Sequence, residues 1–431
     1  MEKLGVDKMA LRDYERDSQK CIRCSYCKWI PFENQQDAEF TVGCPASKKY
    51  GFHAYSAGGK FNMALSLLNE RIETKDVVDP VYKCMMDGLC DVSCKVLFDI
   101  EPLQCMQELR IKCVEEGHGN PAHMRVIEGL NKEANMMQRS SKKRGNWADG
   151  LAVKDLSKEK AEVLYHAGCR YSFDEELRPT VRAGLSILLD AGVDVGIMGR
   201  KEICCGGRAY EMGYVDEFTK FAEGNLKILK AAGVKTIVTP CSDCYQSFKV
   251  LYDKKGKKID IEVLHITEYL HQLIKEGKIK LTKEVPLTVT YHDPCHLGRL
   301  AEPWVHWQGK EVKVLNHVTV HEPPKKFRRG VNGVYDIPRE ILQSIPGVKL
   351  VEMYRNRESA WCCGAGGGVK DAYPDFAIET AAERLKEAKA VGAKAIVSAC
   401  PWCIRNFTDA SRETGKNIEI YDIIDLVRKA I

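Results

Sequence analysis

Long apolar runs are missing from the 431-residue sequence: no window approaches the ~18 uninterrupted apolar residues of a membrane helix. The opening stretch, MEKLGVDKMALRDYERDSQK, is charged throughout and has no apolar segment of the kind a secretory leader needs, so a cytoplasmic protein is expected. Charge is not in excess either. The 65 basic and 60 acidic residues nearly cancel, and no dense basic stripe is interleaved with aromatics, which excludes nucleic-acid binding. Two short basic runs, SSKKR at 140–144 and PKKFRR at 324–329, read as solvated loops. A dinucleotide fingerprint is also absent. The glycines of CGAGGG, residues 363–368, follow a cysteine pair instead of a strand, so they are expected to admit a bound group close to the backbone. No flavin or nicotinamide site is read on this chain.

Cysteine is abundant, with nineteen residues in a chain whose 44% apolar content suffices for two or three ordinary domain cores. In a reducing compartment such a set points to metal or redox chemistry, not to a disulfide framework. All but two fall into motif-like groups. The exceptions, Cys105 and Cys113, are eight apart on a helical stretch and are expected to be core residues.

Residues 1–135 carry seven of the grouped cysteines, and stretches at 61–71 and 100–116 have apolar residues at helical spacing. A polar segment, 136–160, reads as a linker. Beyond it one pattern occurs twice, in 161–285 and 286–431. LKILKAAGVKTIVTPCSDCYQSF, from Leu226, lies over LKEAKAVGAKAIVSACPWCIRNF, from Leu385, without a gap. Each copy is an amphipathic helix, a glycine turn, a short apolar strand and Cys-x2-Cys. Upstream, each opens on a strand leading to cysteine, AEVLYHAGC and PLTVTYHDPC, and between the two strands sits a Cys-Cys-Gly. The expected fold is multi-domain and mixed: a helical module, then two pseudo-repeated α/β units with mostly parallel sheets. Cysteines at strand C-termini then gather at one edge of each sheet, where such sheets place their ligands.

The first copy is Cys169-x34-Cys204-Cys205-x35-Cys241-x2-Cys244, and the second is Cys295-x66-Cys362-Cys363-x36-Cys400-x2-Cys403. Five thiols exceed the four of a tetrahedral zinc site, and adjacent cysteines meet the geometry of a disulfide poorly. Soft ligands in this number suit a multi-iron sulfur cluster. His292 and His296 flank Cys295, as His166 precedes Cys169; they are candidates for proton donors to a thiolate or for partners of a cluster.

In the N-terminal module, Cys21-x2-Cys24-x2-Cys27 and then Cys44-Pro45 resemble a ferredoxin run opened by an insertion. CMMDGLCDVSC, residues 84–94, resembles a second run with aspartate at one ligand position. In two-cluster ferredoxins the fourth cysteine of each run serves the other cluster. That rule assigns Cys21, Cys24, Cys27 and Cys94 to one centre, and Cys44, Cys84, Cys90 with Asp87 to the other. For the last position three outcomes stay open: Asp87 on the fourth iron, a three-iron cluster, or recruitment of Cys105.

Together these residues carry a resemblance. The paired Cys-Cys-Gly motifs with HAGC and YHDPCHLGR ahead of them are similar to the CCG domains of the heterodisulfide reductase B/D family, and the region in front is similar to its C-type module. The whole chain thus resembles the fused D type. The resemblance implies two cubane [4Fe-4S] clusters and two noncubane [4Fe-4S] clusters, one noncubane per five-cysteine set. It also implies partners: a flavin-containing A-like or other electron-transfer subunit, and in some assemblies a separate catalytic subunit. Two functions follow from it, cleavage of a disulfide between the noncubane sites, or electron relay within an anaerobic complex such as the tungsten benzoyl-CoA reductases. The 66-residue gap after Cys295, including 321–344, is expected to form a partner-docking or passive surface loop.

Overall fold

The computed structural model describes residues 10–302, 307–316, 318–325, 327–415 and 418–431. Residues 1–9 of the charged opening stretch, and Lys326 within the basic run and the 321–344 insertion, lie outside the described residues.

The N-terminal part is helical. In the helix Ala57–Leu68, Phe61, Ala64 and Leu67 recur at helical spacing and pack with Met106, Leu109 and Cys113 of the helix Pro102–Glu115. Ser56 caps the first of these helices, its Oγ accepting from the Gly59 amide at 3.2 Å. Cys105 lies in the same core, with Sγ 3.9 Å from Ser18 Oγ.

The segment read as a linker is built into the next domain. Trp147 packs in its core with ring centroid 5.9 Å from that of Tyr165, and β1 (Lys154–Asp155) adds a parallel edge strand. The density of charge in 140–160 hid the few apolar anchors, Trp147, Leu151 and Val153, that fix the segment in place.

Two parallel sheets follow. The first runs β1-β3-β2-β4-β5, with β2 Val163–Tyr165, β3 Val195–Ile197, β4 Thr236–Thr239 and β5 Glu262–His265. The second runs β11-β10-β6-β9, with β6 Leu287–Tyr291, β9 Val348–Leu350, β10 Ala395–Ser398 and β11 Glu419–Asp422. Apart from β1, the orders coincide: β2 corresponds to β6, β3 to β9, β4 to β10 and β5 to β11. Central strands such as β2 and β10 are buried on both faces, which is why they read as continuous apolar runs without alternation. In each sheet the chain leaves the first strand to one side, returns, and continues on the other, so the switch in strand order falls between β2 and β4, and between β6 and β10. The long gap of the second copy holds an antiparallel hairpin, β7 (Lys310–Val314) and β8 (Val318–Glu322), whose tip exposes Val314, Leu315 and Val318.

Both α/β units share one core, and Tyr171 of the first donates to Asp422 Oδ2 of the second at 2.6 Å. Arg110, fully buried, joins all three parts. It donates to the carbonyls of Cys84 at 2.7 Å, Glu211 at 2.8 Å and Gly367 at 2.6 Å. Among the described residues no helix is long and apolar enough to cross a membrane.

Candidate metal centres

The switch point of the first sheet gathers five thiols. Cys169 lies in the first turn after β2, Cys204 and Cys205 follow β3, Cys241 caps the short helix after β4, and Cys244 stands one turn into it. All five are buried. Cys204 is within hydrogen-bonding reach of Cys169 and Cys205, and Cys244 of Cys205 and Cys241, so the sulfurs form one connected group. The S–H of Cys204 pulls the Cys169 thiol down to about 6, against the cost of burial and with the help of Arg144, whose Nη1 donates to Cys169 Sγ at 3.4 Å. Donation from Cys204 and Cys244 holds the Cys205 thiol well below its ordinary range. Gly206, at φ +82°, turns its amide back onto Cys204 Sγ at 3.3 Å. A side chain is disfavoured at that backbone angle, hence the glycine after the pair.

The second sheet repeats the arrangement with one difference. Cys362 and Cys403 donate to Cys363 and lower its thiol well below the usual range, and Gly364, at φ +90°, points its amide at Cys362 Sγ at 3.3 Å. His292 takes part here: its Nδ1 accepts from Arg384 Nε at 3.2 Å, which leaves Nε2 for the sulfurs, and one ligand atom each of His292, Cys363 and Cys403 lie within 4.8 Å of one another. Cys295 stands at the edge of the group, where its Sγ is 3.3 Å from His296 Nδ1 and burial raises its thiol. His166, the counterpart of His292, is buried beside Glu202 at 3.7 Å with its Nε2 lacking a hydrogen bond. Each set offers buried, partly ionised soft donors in numbers that suit a multi-iron sulfur cluster and exceed zinc's need.

The two sets meet through their Cys-x2-Cys segments. Ser242 donates to the Ala399 carbonyl at 2.7 Å, and Cys400 Sγ is 3.8 Å from Asp243 Oδ1. Asp243 also accepts from Arg208 Nε at 2.7 Å and lies 3.4 Å from His296 Nδ1. His296 Nε2 sits 2.5 Å from Glu211 Oε1. Burial opposes a charge on this imidazole, but Glu211, Cys295 and Asp243 outweigh it and raise its pKa well above the ordinary value. Arg208 completes the group with its guanidinium 3.5 Å from the centroid of the Trp402 ring.

Two further cavities lie in the helical part. Cys21, Cys24, Cys27 and Cys94 line one of about 370 Å³ of atom-free space, and Cys44, Cys84, Asp87 and Cys90 line another of about 470 Å³. Asp87 is buried; its Oδ1 accepts from the Leu89 amide at 3.1 Å, while Oδ2 has no hydrogen-bond donor and is 3.5 Å from Arg299 Nη2. That orphaned oxygen beside three thiols suits a harder fourth ligand on iron. On the helix Pro102–Glu115 the second cavity is lined by Pro102, Leu103 and Met106, and Cys105 faces Ser18 instead. The glycines at 366–368, expected to admit a bound group, serve a protein contact: a Cβ on Gly367 would lie 2.8 Å from the Cys84 carbonyl oxygen.

Comparison with known proteins agrees with this layout. A model of a 4Fe-4S dicluster domain matches residues 17–97, and a cysteine-rich (CCG) domain matches 163–249 and 318–408. The D-type polypeptide of the dihydromethanophenazine:CoB–CoM heterodisulfide reductase of Methanosarcina mazei is 32% identical over 98% of this chain and 95% of its own length. The chain belongs to the D-type heterodisulfide reductase family. As a member it is an iron–sulfur oxidoreductase subunit. More distant relatives are the B-type polypeptide of the fumarate reductase (CoM/CoB) of Methanothermobacter marburgensis, 26% identical over 100% of this chain and 76% of its own, and the EtfAB:quinone oxidoreductase of Syntrophomonas wolfei, 29% identical over 67% of this chain and 38% of its own.

In this family member the charged residues around the sulfurs had no signal of their own in the sequence. Arg144 sits in the basic run that read as a loop, and Glu202, which accepts from it at 2.7 Å and from the Gly168 amide at 3.1 Å, is one acid among many. Glu211 and Asp243 were equally silent, although Asp243 lies inside the first Cys-x2-Cys.

Proposed function

We propose that this chain cleaves an organic disulfide between its two five-cysteine sites, with electrons entering through a ferredoxin-like module at 1–135. In this reading Cys21, Cys24, Cys27 and Cys94 hold one cubane cluster, and Cys44, Cys84, Cys90 and Asp87 the other. Cys169, Cys204, Cys205, Cys241 and Cys244 hold one noncubane cluster, and Cys295, Cys362, Cys363, Cys400 and Cys403 the second. The two α/β domains are read as 161–285 and 286–431, with 136–160 as a packed extension of the first. When bound, the clusters supply one-electron transfer. Cleavage consumes two electrons and two protons and releases two thiols, the electrons coming from a low-potential one-electron donor such as a flavin-bearing partner protein.

The observation that carries this reading is His296. Disulfide cleavage needs a proton donor and electron relay does not, and this imidazole, its protonated form favoured by Glu211 and Asp243, has Nδ1 3.3 Å from Cys295 Sγ. It is placed to hand a proton to a thiolate leaving at the junction of the two sites. His292, tied by Arg384, steadies the Cys363 thiolate instead. The test is single turnover: anaerobically reduced, cluster-loaded protein is mixed with a disulfide and the released thiol is counted. Two thiols per disulfide support the reading, and none, with the clusters left reduced, sinks it.

A second reading is relay alone, in a benzoyl-CoA reductase-like or flavin-linked complex with a separate catalytic subunit. It is favoured by the run of adjacent sites from exposed Cys24 inward, where Arg299 touches Asp87 on one side and its charge reaches Cys295 on the other. In either reading Asp87 is an iron ligand. Asp87→Cys is expected to leave the iron content unchanged and alter the EPR spectrum of one cluster; an unaltered set of spectra removes Asp87 from the ligands.

A further inference from the structure

The chain from Ala134 to Trp147 straps the five thiols of the first sheet. The Ala134 carbonyl accepts from the Cys204 amide at 2.9 Å, the Met136 amide donates to Cys169 Sγ, and Arg144 reaches the same sulfur with Nη1 at 3.4 Å. Asn135 ties the turn between them, its Nδ2 donating to the Glu133 and Arg139 carbonyls at 2.8 and 2.7 Å. Trp147, packed beside Tyr165, anchors the far end. The strap lies outside both matched regions that flank it, 17–97 and 163–249.

Arg144 is 1% exposed, and Glu202 aims its guanidinium. Nε and Nη2 both donate to Glu202 Oε1, at 3.1 and 2.7 Å. Nη1, on the other side of the plane, faces Cys169 Sγ and lies 3.5 Å from the Ala134 carbonyl oxygen. Glu202 is fixed in turn: Oε1 accepts from the Gly168 amide at 3.1 Å and Oε2 from the Ala167 amide at 3.2 Å, with His166 Nδ1 3.7 Å away. The pair thus presents its positive end to the sulfur, with the carboxylate behind it. In the second set the counterpart of Cys169 is Cys295, which has the imidazole of His296 at 3.3 Å where the first set has a guanidinium.

We propose that Arg144 is a positioning residue that raises the reduction potential of the first five-cysteine site by holding a permanent cationic donor on Cys169. The inference rests on the assignment, made above, of a cluster to Cys169, Cys204, Cys205, Cys241 and Cys244. Uptake of one electron adds one negative charge to such a site and neither makes nor breaks a bond; hydrogen bonds to the sulfurs and the charges around them decide how readily it occurs. In a buried site of low effective dielectric, a charge at hydrogen-bond distance acts strongly. A guanidinium keeps its proton at any ordinary pH, so its effect is a fixed bias in which no proton moves with the electron. Lysine does not reproduce it, because a point-like ammonium lacks the planar fork that serves Glu202 and Cys169 at once.

Redox titration of the cluster-loaded full chain, with EPR read for each cluster, tests the proposal. Cys204→Ala marks the first site by the signal that it removes. Glu202→Gln takes away the negative end of the pair and is expected to raise the equilibrium constant for reducing that site several-fold above the parent. Arg144→Met/Glu202→Gln removes both ends together, so no charge is left buried without its partner. It is expected to lower the constant at least about tenfold below that of Glu202→Gln, which is about 59 mV for a one-electron couple. Opposite shifts at one cluster, with the other potentials unmoved, follow from an electrostatic bias and not from a disturbed fold. Unmoved potentials in both variants overturn the role of Arg144. Where the double variant does not hold its iron, the unaltered chain decides: with arginine labelled with nitrogen-15, pulsed EPR is expected to show a weak nitrogen-15 coupling at the marked cluster, and its absence overturns the contact. Iron and sulfide analysis keeps the two failures apart. A parent with no more iron and sulfide than Cys204→Ala, and no signal removed by that change, overturns the cluster assignment itself; a parent with more, and no response at Arg144, overturns this proposal alone.

Discussion

His296→Gln is expected to slow disulfide cleavage by about 10²- to 10⁴-fold, the range that a positioned general acid contributes. Glutamine keeps the size and one hydrogen-bond donor but cannot carry a proton to a leaving thiolate. The other groups facing this imidazole, Glu211 and Asp243, are acceptors engaged by His296 itself and by Arg208, and do not replace it. The loss is expected in the rate of thiol release after mixing, with iron content and cluster spectra close to those of the parent. Glu211→Gln should act in the same direction and less severely, because Asp243 still faces the ring at 3.4 Å and holds part of the charge. The pair of variants distinguishes proton donation from packing. If His296→Gln releases thiol at the parental rate, the imidazole only fills the gap between the domains, and the case for cleavage over relay loses its main support.

Much of the architecture was legible because the chain duplicates it. Gapless alignment of the segments from Leu226 and Leu385 predicts helix, turn, strand and Cys-x2-Cys twice, and the structure has helices Val215–Ala232 and Pro374–Ala390 running into β4 and β10. Cysteine is readable for the same reason that it is reactive: five soft donors at near-repeated spacing have few structural uses. The charges around those donors were not readable. Arg144, Glu202, Glu211 and Asp243 gain meaning only once tertiary contact buries them, since a lone acidic or basic side chain in a sequence is a solvated one by default. The segment 136–160 failed as a linker for a related reason. Composition averaged over twenty-odd residues is polar, but a single Trp147 in the core of the first sheet decides where the segment lies.

Arg110→Met is expected to destabilise the assembled chain by roughly 4 kcal/mol or more, since each buried acceptor left without its donor costs about 1–3 kcal/mol. Arg110 supplies the carbonyls of Cys84, Glu211 and Gly367, one from each of the three parts, and it is fully buried. Methionine fills much of the volume but provides no hydrogen, so three or more carbonyls face a dry interior. Arg110→Lys keeps the charge without the planar fork and can satisfy only some of them, so an intermediate effect is expected. Position adds a second consequence. The Cys84 carbonyl lies next to a thiol of the Asp87-containing cavity, and Gly367 lies four residues after Cys363, so the same guanidinium holds two cysteine sets in register. Denaturant unfolding followed both by tryptophan fluorescence and by cluster absorbance is expected to show one shared transition in the parent. In Arg110→Met the part of the cluster absorbance that belongs to the helical module should be lost first, at lower denaturant, while the two sheets and the absorbance of their own clusters follow later. Coincident transitions at the parental midpoint would mean that the interface survives on its apolar contacts, and that Arg110 is satisfied there without holding it.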